Sequence, residues 1–324
     1  MNDTEIMARN VSTMAKYQIE NINILIADSN RQLRSSLKGV LHHYGFRKIT
    51  DAYDIESFED AIRAHSPDLI LCDVNLKGEQ VCEVIHRLRH NHLGQNPFAA
   101  VILFIDEAGE EIVRQASRAG LDDLQIKPVV AQKIIDRVKF LIEKRKPFVV
   151  TTDYIGPDRR KEARQEGQEV PLVTVPNTLA LKATGDFEPN KTQRQIANAV
   201  WSVNAQKIER HVFQVKYLVD RIVPAFKTGQ VTKDSAEMVQ RLMNVGQDIS
   251  KRLKNSDYAH VSTLAATLVT VTKAIWQSGG QPKNKDLDLV PELATALCTT
   301  VNAENTENTT VSEIQSSIKQ VYGK

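Results

Sequence analysis

Apolar positions in the first 146 residues fall into two alternating patterns. One is the short unbroken run: 22–27 (INILIA), 69–72 (LILC) and 99–105 (AAVILFI). Such runs have the length of strands buried on both faces and are too short for buried helices. Two weaker segments, 48–52 and 124–126, read as further short strands. Between the runs the spacing is helical. Leu33, Leu37, Val40 and Leu41 follow a Ser29-Asn30 cap; Phe58, Ala61 and Ile62 follow Ser57; then come Val81, Val84, Ile85 and Leu88. Helices are also expected over 110–119, closed by Gly120, and over 129–142. Strict strand–helix alternation, five times over, predicts an α/β domain with a parallel sheet covered on both faces.

The pattern breaks at Pro147. Residues 147–189 hold five of the eleven prolines and little apolar periodicity, which predicts a semi-extended, proline-rich linker. Inside it lies Asp153-Tyr154-Ile155-Gly156-Pro157-Asp158-Arg159-Arg160, a mix suited to docking on the α/β domain or on a partner. Arg160 to Arg164 also spells RxxxR, which resembles the arginine motif of cyclic-di-GMP binders. The downstream element of that motif and a following barrel pattern are absent, so the segment is read as basic and solvated.

From Asn190 onward the spacing is helical throughout. A long first helix carries Ile196, Val200, Val203, Ile208, Val212, Val215, Val219 and Ile222 and ends near 224–229. A second opens at Thr232 or Asp234 and a third covers about 257–276. A fourth covers about 289–301, and a last one follows the capping box Thr310-Val311-Ser312-Glu313. Short connections argue for an all-α bundle, and the first helix could also pair with its copy in a homodimer. The expected layout is an extension (1–20), an α/β domain (21–146), a linker (147–189) and a helical interaction domain (190–324).

Composition narrows the function classes. The 324 residues are 41% hydrophobic and 25% charged, with a net charge of +2 that makes no case for nucleic acid. No apolar run approaches the ~20 residues of a membrane span, and residues 1–20 lack the apolar core of a secretory signal. Cys72, Cys82 and Cys298 form no CxxC pair and no zinc spacing, so a reducing cytoplasm is expected, with Cys72 acting as a small buried hydrophobe. The helical half shows no HExxH, phosphate loop, nucleophile elbow or basic recognition helix; neither an enzyme nor a DNA-binding domain is expected. Membranes and nucleic acid are not expected partners.

Candidate chemistry sits where the strands stop. The first strand ends at Asp28, the third at Asp73 and the fifth at Lys127. Ligands of open parallel sheets bind at the carboxyl ends of the strands, so these three side chains should converge in one crevice. Clustered carboxylates repel one another, and a divalent cation relieves that repulsion. One acid, one metal and one lysine can supply the positioning and charge neutralisation that phosphoryl transfer needs.

The segments ILIAD ending at Asp28, PDLILCDVN around Asp73, Ala119-Gly120-Leu121-Asp122-Asp123, and Lys127-Pro128 resemble the receiver domain of bacterial two-component response regulators. The resemblance implies a flavodoxin-like (βα)5 fold and a phosphoryl group accepted on Asp73 from a sensor histidine kinase or phosphotransfer protein. It implies Mg²⁺ held by Asp28, Asp73 and the backbone carbonyl of Asn75, and Lys127 paired with the phosphoryl group. Output would pass through contacts of the helical domain with a protein target. Three positions depart from the family pattern: Ser29 replaces a second acid, Ile105 replaces a Thr or Ser, and Leu124 replaces the usual aromatic. A weaker metal site and a missing switch relay are the expected consequences. A pseudo-receiver scaffold that is never phosphorylated therefore stays open, as does a DNA-binding regulator.

Simpler roles compete at each position. Asp28 could be a helix N-cap and Lys127 a surface lysine. His86, His90 and His92 are close in sequence but lack a defined ligand geometry, and they read as solvated. His211 lies at the edge of an apolar stripe without the residues that accompany a phosphohistidine, and it reads as structural.

Overall fold

A computed structural model describes residues 14, 16–78, 80–160, 171–254 and 259–301. The capping box at Thr310 and Arg164 of the RxxxR segment lie outside the described residues. Two compact units divide between Val203 and Asn204.

In the first unit the alternation folds as expected, into the flavodoxin-like (βα)5 arrangement. Strands β1 (Asn23–Ala27), β2 (Lys48–Ala52), β3 (Leu69–Asp73), β4 (Ala100–Ile105) and β5 (Asp123–Ile126) form one parallel sheet in the order β2-β1-β3-β4-β5. The helices between and after them are α1 (Arg31–Tyr44), α2 (Ile55–His65), α3 (Val81–Arg89), α4 (Glu110–Ala119) and α5 (Ala131–Lys144). Side chains alternate between the two faces of each strand. Ile24, Ile26, Leu69, Leu71, Ile102 and Phe104 therefore meet α1 and α5, while Leu25, Ile70, Cys72, Leu103 and Ile105 meet α2, α3 and α4. Asn30 rather than Asp28 caps α1, its side chain accepting from the amides of Gln32 and Leu33. Cys72 is fully buried, and burial pushes its thiol well up, as suits a small hydrophobe.

The segment read as a semi-extended linker departs from that expectation: most of its described residues are folded. Strands β6 (Phe148–Val150), β7 (Ile155–Pro157) and β8 (Leu172–Val173) make an antiparallel sheet in the order β7-β6-β8, followed by helix α6 (Thr178–Thr184). These elements cover the amino end of the parallel sheet. The reason is a buried charge cluster that the sequence pattern concealed. Asp122, just before β5, accepts from Arg89 Nη2 (3.0 Å), Arg145 Nε (2.7 Å) and the Val101 amide (2.9 Å). Arg89 also donates to the carbonyls of Gly120, Pro97 and Ala99. Both guanidinium carbons stand 5.3 Å from the centre of the Phe148 ring. Burial pulls the Arg89 guanidinium down to about 10, against the opposing pull of Asp122. Two arginines that look like surface basic residues are thus a fully satisfied interior pair, roofed by the first residue of β6.

The motif from Asp153 to Arg160 docks on this same end. Arg159 donates to the Leu121 carbonyl (2.5 Å) and to Ser117 Oγ (2.9 Å), and Tyr154 donates to the Pro157 carbonyl (2.8 Å). Gly120 has φ +85°, and a Cβ there would sit 2.2 Å from the Ile155 carbonyl oxygen. Helix α6 adds Lys182 Nζ–Asp68 Oδ2 at 2.7 Å and buries Leu179 and Ala183.

Helix α7 (Pro189–Lys227) begins in the first unit and continues into the second. The unit boundary lies later than the expected 190 because Ile196, Ala199 and Val203 share a core with Phe98, Phe148, Val150, Ile155 and Val173. The second unit joins the rest of α7 to α8 (Lys233–Leu253), α9 (Ala259–Gln277) and a tenth helix over 284–301. Val215, Ile222, Val239, Ile249, Val261, Leu268 and Val290 are among its core. Thr232 caps α8 in a capping box with Ser235. No helix among the described residues is long and apolar enough to cross a membrane.

Candidate functional site

β3 is flanked by β1 and β4, so the position of Asp73 at its end is fixed from both sides. The Val74 amide extends the ladder to the Phe104 carbonyl (2.9 Å), and the Lys127 amide reaches the Ile105 carbonyl (2.8 Å). Those bonds carry the order of the sheet into the loops that bear Asn75 and Lys127. Lys127 Nζ stands 2.9 Å from Asp73 Oδ2. Burial alone would lower the lysine, but its bonds to Asp73 and Asp106 outweigh it and raise it.

Asp28 and Asp73 are both buried, at 1% and 3% exposure. Asp28 Oδ1 accepts the Asn30 amide at 2.7 Å, while Asp28 Oδ2 and Asp73 Oδ1 have no hydrogen-bond partner. Burial is the main cause that raises Asp28 above the usual carboxylate range; the neighbouring Asp73 adds to it and the Asn30 amide opposes it. An orphaned buried carboxylate oxygen costs free energy, and two beside one lysine form a donor set for a hard cation. Mg²⁺ takes one or two carboxylates and keeps waters for its other positions, so a thiol or imidazole cage is not required. Among the described residues no cluster of three or more His, Cys, Asp or Glu side chains makes such a cage.

Residues 24–139 match the family model of the response regulator receiver domain. The chain carries a receiver domain. The transcriptional regulatory protein PhoP of Escherichia coli is 26% identical over 145 residues, 45% of this chain and 63% of that protein. The response regulator MprA of Mycobacterium bovis is 28% identical over 127 residues, 39% of this chain and 53% of that protein. The chain thus spans less than two thirds of the length of either relative. Among solved structures, the chemotaxis response regulator CheY4 of Vibrio cholerae is similar at 20% identity, covering 36% of this chain and 96% of that one, with a TM-score of 0.33.

The three departures in the receiver sequence have clear structural settings. Ser29 is exposed and follows the buried Asp28 directly. Ile105 is fully buried among the residues facing α2, α3 and α4, and Leu124 packs against the same cluster. Apolar side chains at these two positions fill core volume and offer nothing that could follow a charge at the crevice.

Asp106 belongs to the receiver crevice and escaped the sequence reading. Its Oδ1 stands 3.1 Å from Lys127 Nζ, and its Oδ2 accepts from Asn75 Nδ2 at 2.6 Å. The signal was available: Asp106 follows β4 just as Asp28 follows β1, and strand-end acids point to the crevice by the same rule. Asn75 is exposed at the crevice edge.

Elsewhere the tempting histidines are structural in setting. His86 and His90 stack with ring centres 3.9 Å apart, and His90 is buried rather than solvated as expected. His211 is buried, its Nε2 2.8 Å from Asp248 Oδ2, which also accepts from Arg252 Nε at 2.8 Å. Burial opposes ionisation of Asp248, yet the bonds to His211 and Arg252 prevail and hold it far below the usual range.

Proposed function

We propose that Asp73 accepts a phosphoryl group from a sensor histidine kinase or a phosphotransfer protein, and that the helical unit carries the output by contact with a protein target rather than by catalysis. The observation that carries this reading is the split environment of one carboxylate. Asp73 gives one oxygen to Lys127 and keeps the other without a partner, as Asp28 does, and the two carboxylates are near enough for Asp73 to raise Asp28. Asp28, Asp73 and the Asn75 carbonyl would hold Mg²⁺. When bound, the cation would neutralise charge on the phosphoryl oxygens. The protein itself presents Asp73, fixes its orientation through β3, and supplies the Lys127 ammonium to the charge that arrives. With Ser29 in place of an acid, metal affinity is expected to be weaker than two strand-end acids would give.

The apolar residues at Ile105 and Leu124 favour a second reading, in which the receiver serves as a docking module that is never phosphorylated. The two separate cleanly. The full chain incubated with Mg²⁺ and acetyl phosphate is expected to gain one phosphoryl mass, and Asp73→Ala to gain none. An unmodified wild-type chain, equally silent to beryllofluoride, would leave the docking reading standing.

A further inference from the structure

Asp106 has no part in the phosphoacceptor reading, yet it holds two of the groups that reading depends on. Lys127 Nζ lies between Asp73 Oδ2 at 2.9 Å and Asp106 Oδ1 at 3.1 Å. The other Asp106 oxygen takes Asn75 Nδ2 at 2.6 Å. Asn75 is also the residue whose backbone carbonyl would face the metal. On Lys127 the Asp106 carboxylate makes the contact an arriving phosphoryl oxygen would make. Its side chain is 56% exposed, against 5% for Asp73, so it can turn outward into water without disturbing the core. Ile105, one residue earlier, is fully buried and anchors the backbone from which Asp106 projects.

Resting on that reading, we propose that Asp106 is an internal occupant of the phosphoryl pocket, a carboxylate that holds Lys127 until a phosphodonor displaces it. In the transfer step an Asp73 carboxylate oxygen attacks phosphorus of an acyl phosphate. The bond from phosphorus to the bridging oxygen breaks, and its electron pair leaves on the carboxylate of the donor. A negative side chain beside the entry path raises the barrier to this step, because the incoming group is itself anionic and because Lys127 is already engaged. The same competition persists afterwards and weakens the hold of Lys127 on the bound phosphoryl group.

The test compares the full wild-type chain with Asp106→Ala and Asp106→Asn, following the phosphoryl adduct by intact mass with Mg²⁺ present and Asp73→Ala as the blank. Asp106→Ala is expected to label about tenfold faster, the size of one like charge removed at short range in partly solvated surroundings. Asp106→Asn should fall between, since it keeps an acceptor oxygen without the charge. The gain should be larger with dianionic acetyl phosphate than with the less charged phosphoramidate, a dependence that a merely structural role would not produce. Beryllofluoride should bind Asp106→Ala at severalfold lower concentration. Labelling of wild type with no gain in the variants overturns the occupant role and leaves the phosphoacceptor reading intact. Slower labelling with weaker Mg²⁺ binding overturns it in the opposite sense, making Asp106 a metal ligand in place of the acid missing at Ser29. Absence of any adduct on wild type and variants alike removes the phosphoacceptor reading, and the occupant role falls with it.

Discussion

At the carboxyl end of the parallel sheet, Asp28 and Asp73 each keep one buried oxygen without a partner. At the amino end, Asp122 uses both oxygens, on Arg89, Arg145 and the Val101 amide, and the arginines use their remaining donors on backbone carbonyls. The two clusters lie at opposite ends of one parallel sheet. The amino end is roofed by β6 and β7, whereas the carboxyl end is open above Asn75 and Asp106. A buried acid whose bonds are complete is part of the scaffold. One left incomplete in an open crevice costs the fold free energy.

Three substitutions would break or sharpen that contrast. The largest effect is expected from Asp122→Asn, which strands two buried guanidiniums without their counter-charge. A loss of about 3–5 kcal/mol is expected, read from the urea midpoint of the first unit with an unchanged slope. Next comes Gly120→Ala, where φ is +85° and the new Cβ would press on the Ile155 carbonyl oxygen. It should cost about 2 kcal/mol and speed hydrogen exchange at the Thr151 and Asp158 amides, which bond within the β6–β7 hairpin. A small effect on exchange there would mean the hairpin is not held by this contact.

The smallest effect should have the opposite sign. Asp28→Asn removes a buried charge that repels Asp73 and should stabilise the metal-free protein by about 1 kcal/mol at neutral pH. The folded state holds Asp28 above its ordinary value of 3.8, so the charged form costs stability at high pH and the cost fades as pH falls through the raised value. The advantage of Asp28→Asn should therefore shrink on acidification toward 3.8 and vanish below it. Equal stability of the two proteins at pH 7 would remove the picture of a strained resting site.

The receiver fold was legible because strands buried on both faces write themselves as unbroken apolar runs; Asp28 and Asp73 stood out by ending two of them, and Lys127 by ending the weaker segment 124–126. The amino-end cap was not. Phe148, Val150, Ile155 and Val173 are too few and too widely spaced to set up a period, and the prolines beside them suggested a linker. Arg89 and Arg145 closed helices in basic stretches where solvent exposure is the ordinary expectation. Their burial depends on Asp122, reached only through tertiary contact, and no local pattern reports it. Asp106 was a different kind of miss, since the rule that selected its neighbours applied to it as well.

Phe148, seated between two guanidiniums, bears on how the protein can be dissected. A fragment ending at residue 146, where five strand–helix pairs are complete, would carry Arg89, Arg145 and Phe98 with their covering ring removed. Such a piece would expose a greasy, positively charged scar, poorly soluble and inclined to self-associate. An excised receiver domain that keeps this cover is expected to run on through Val203.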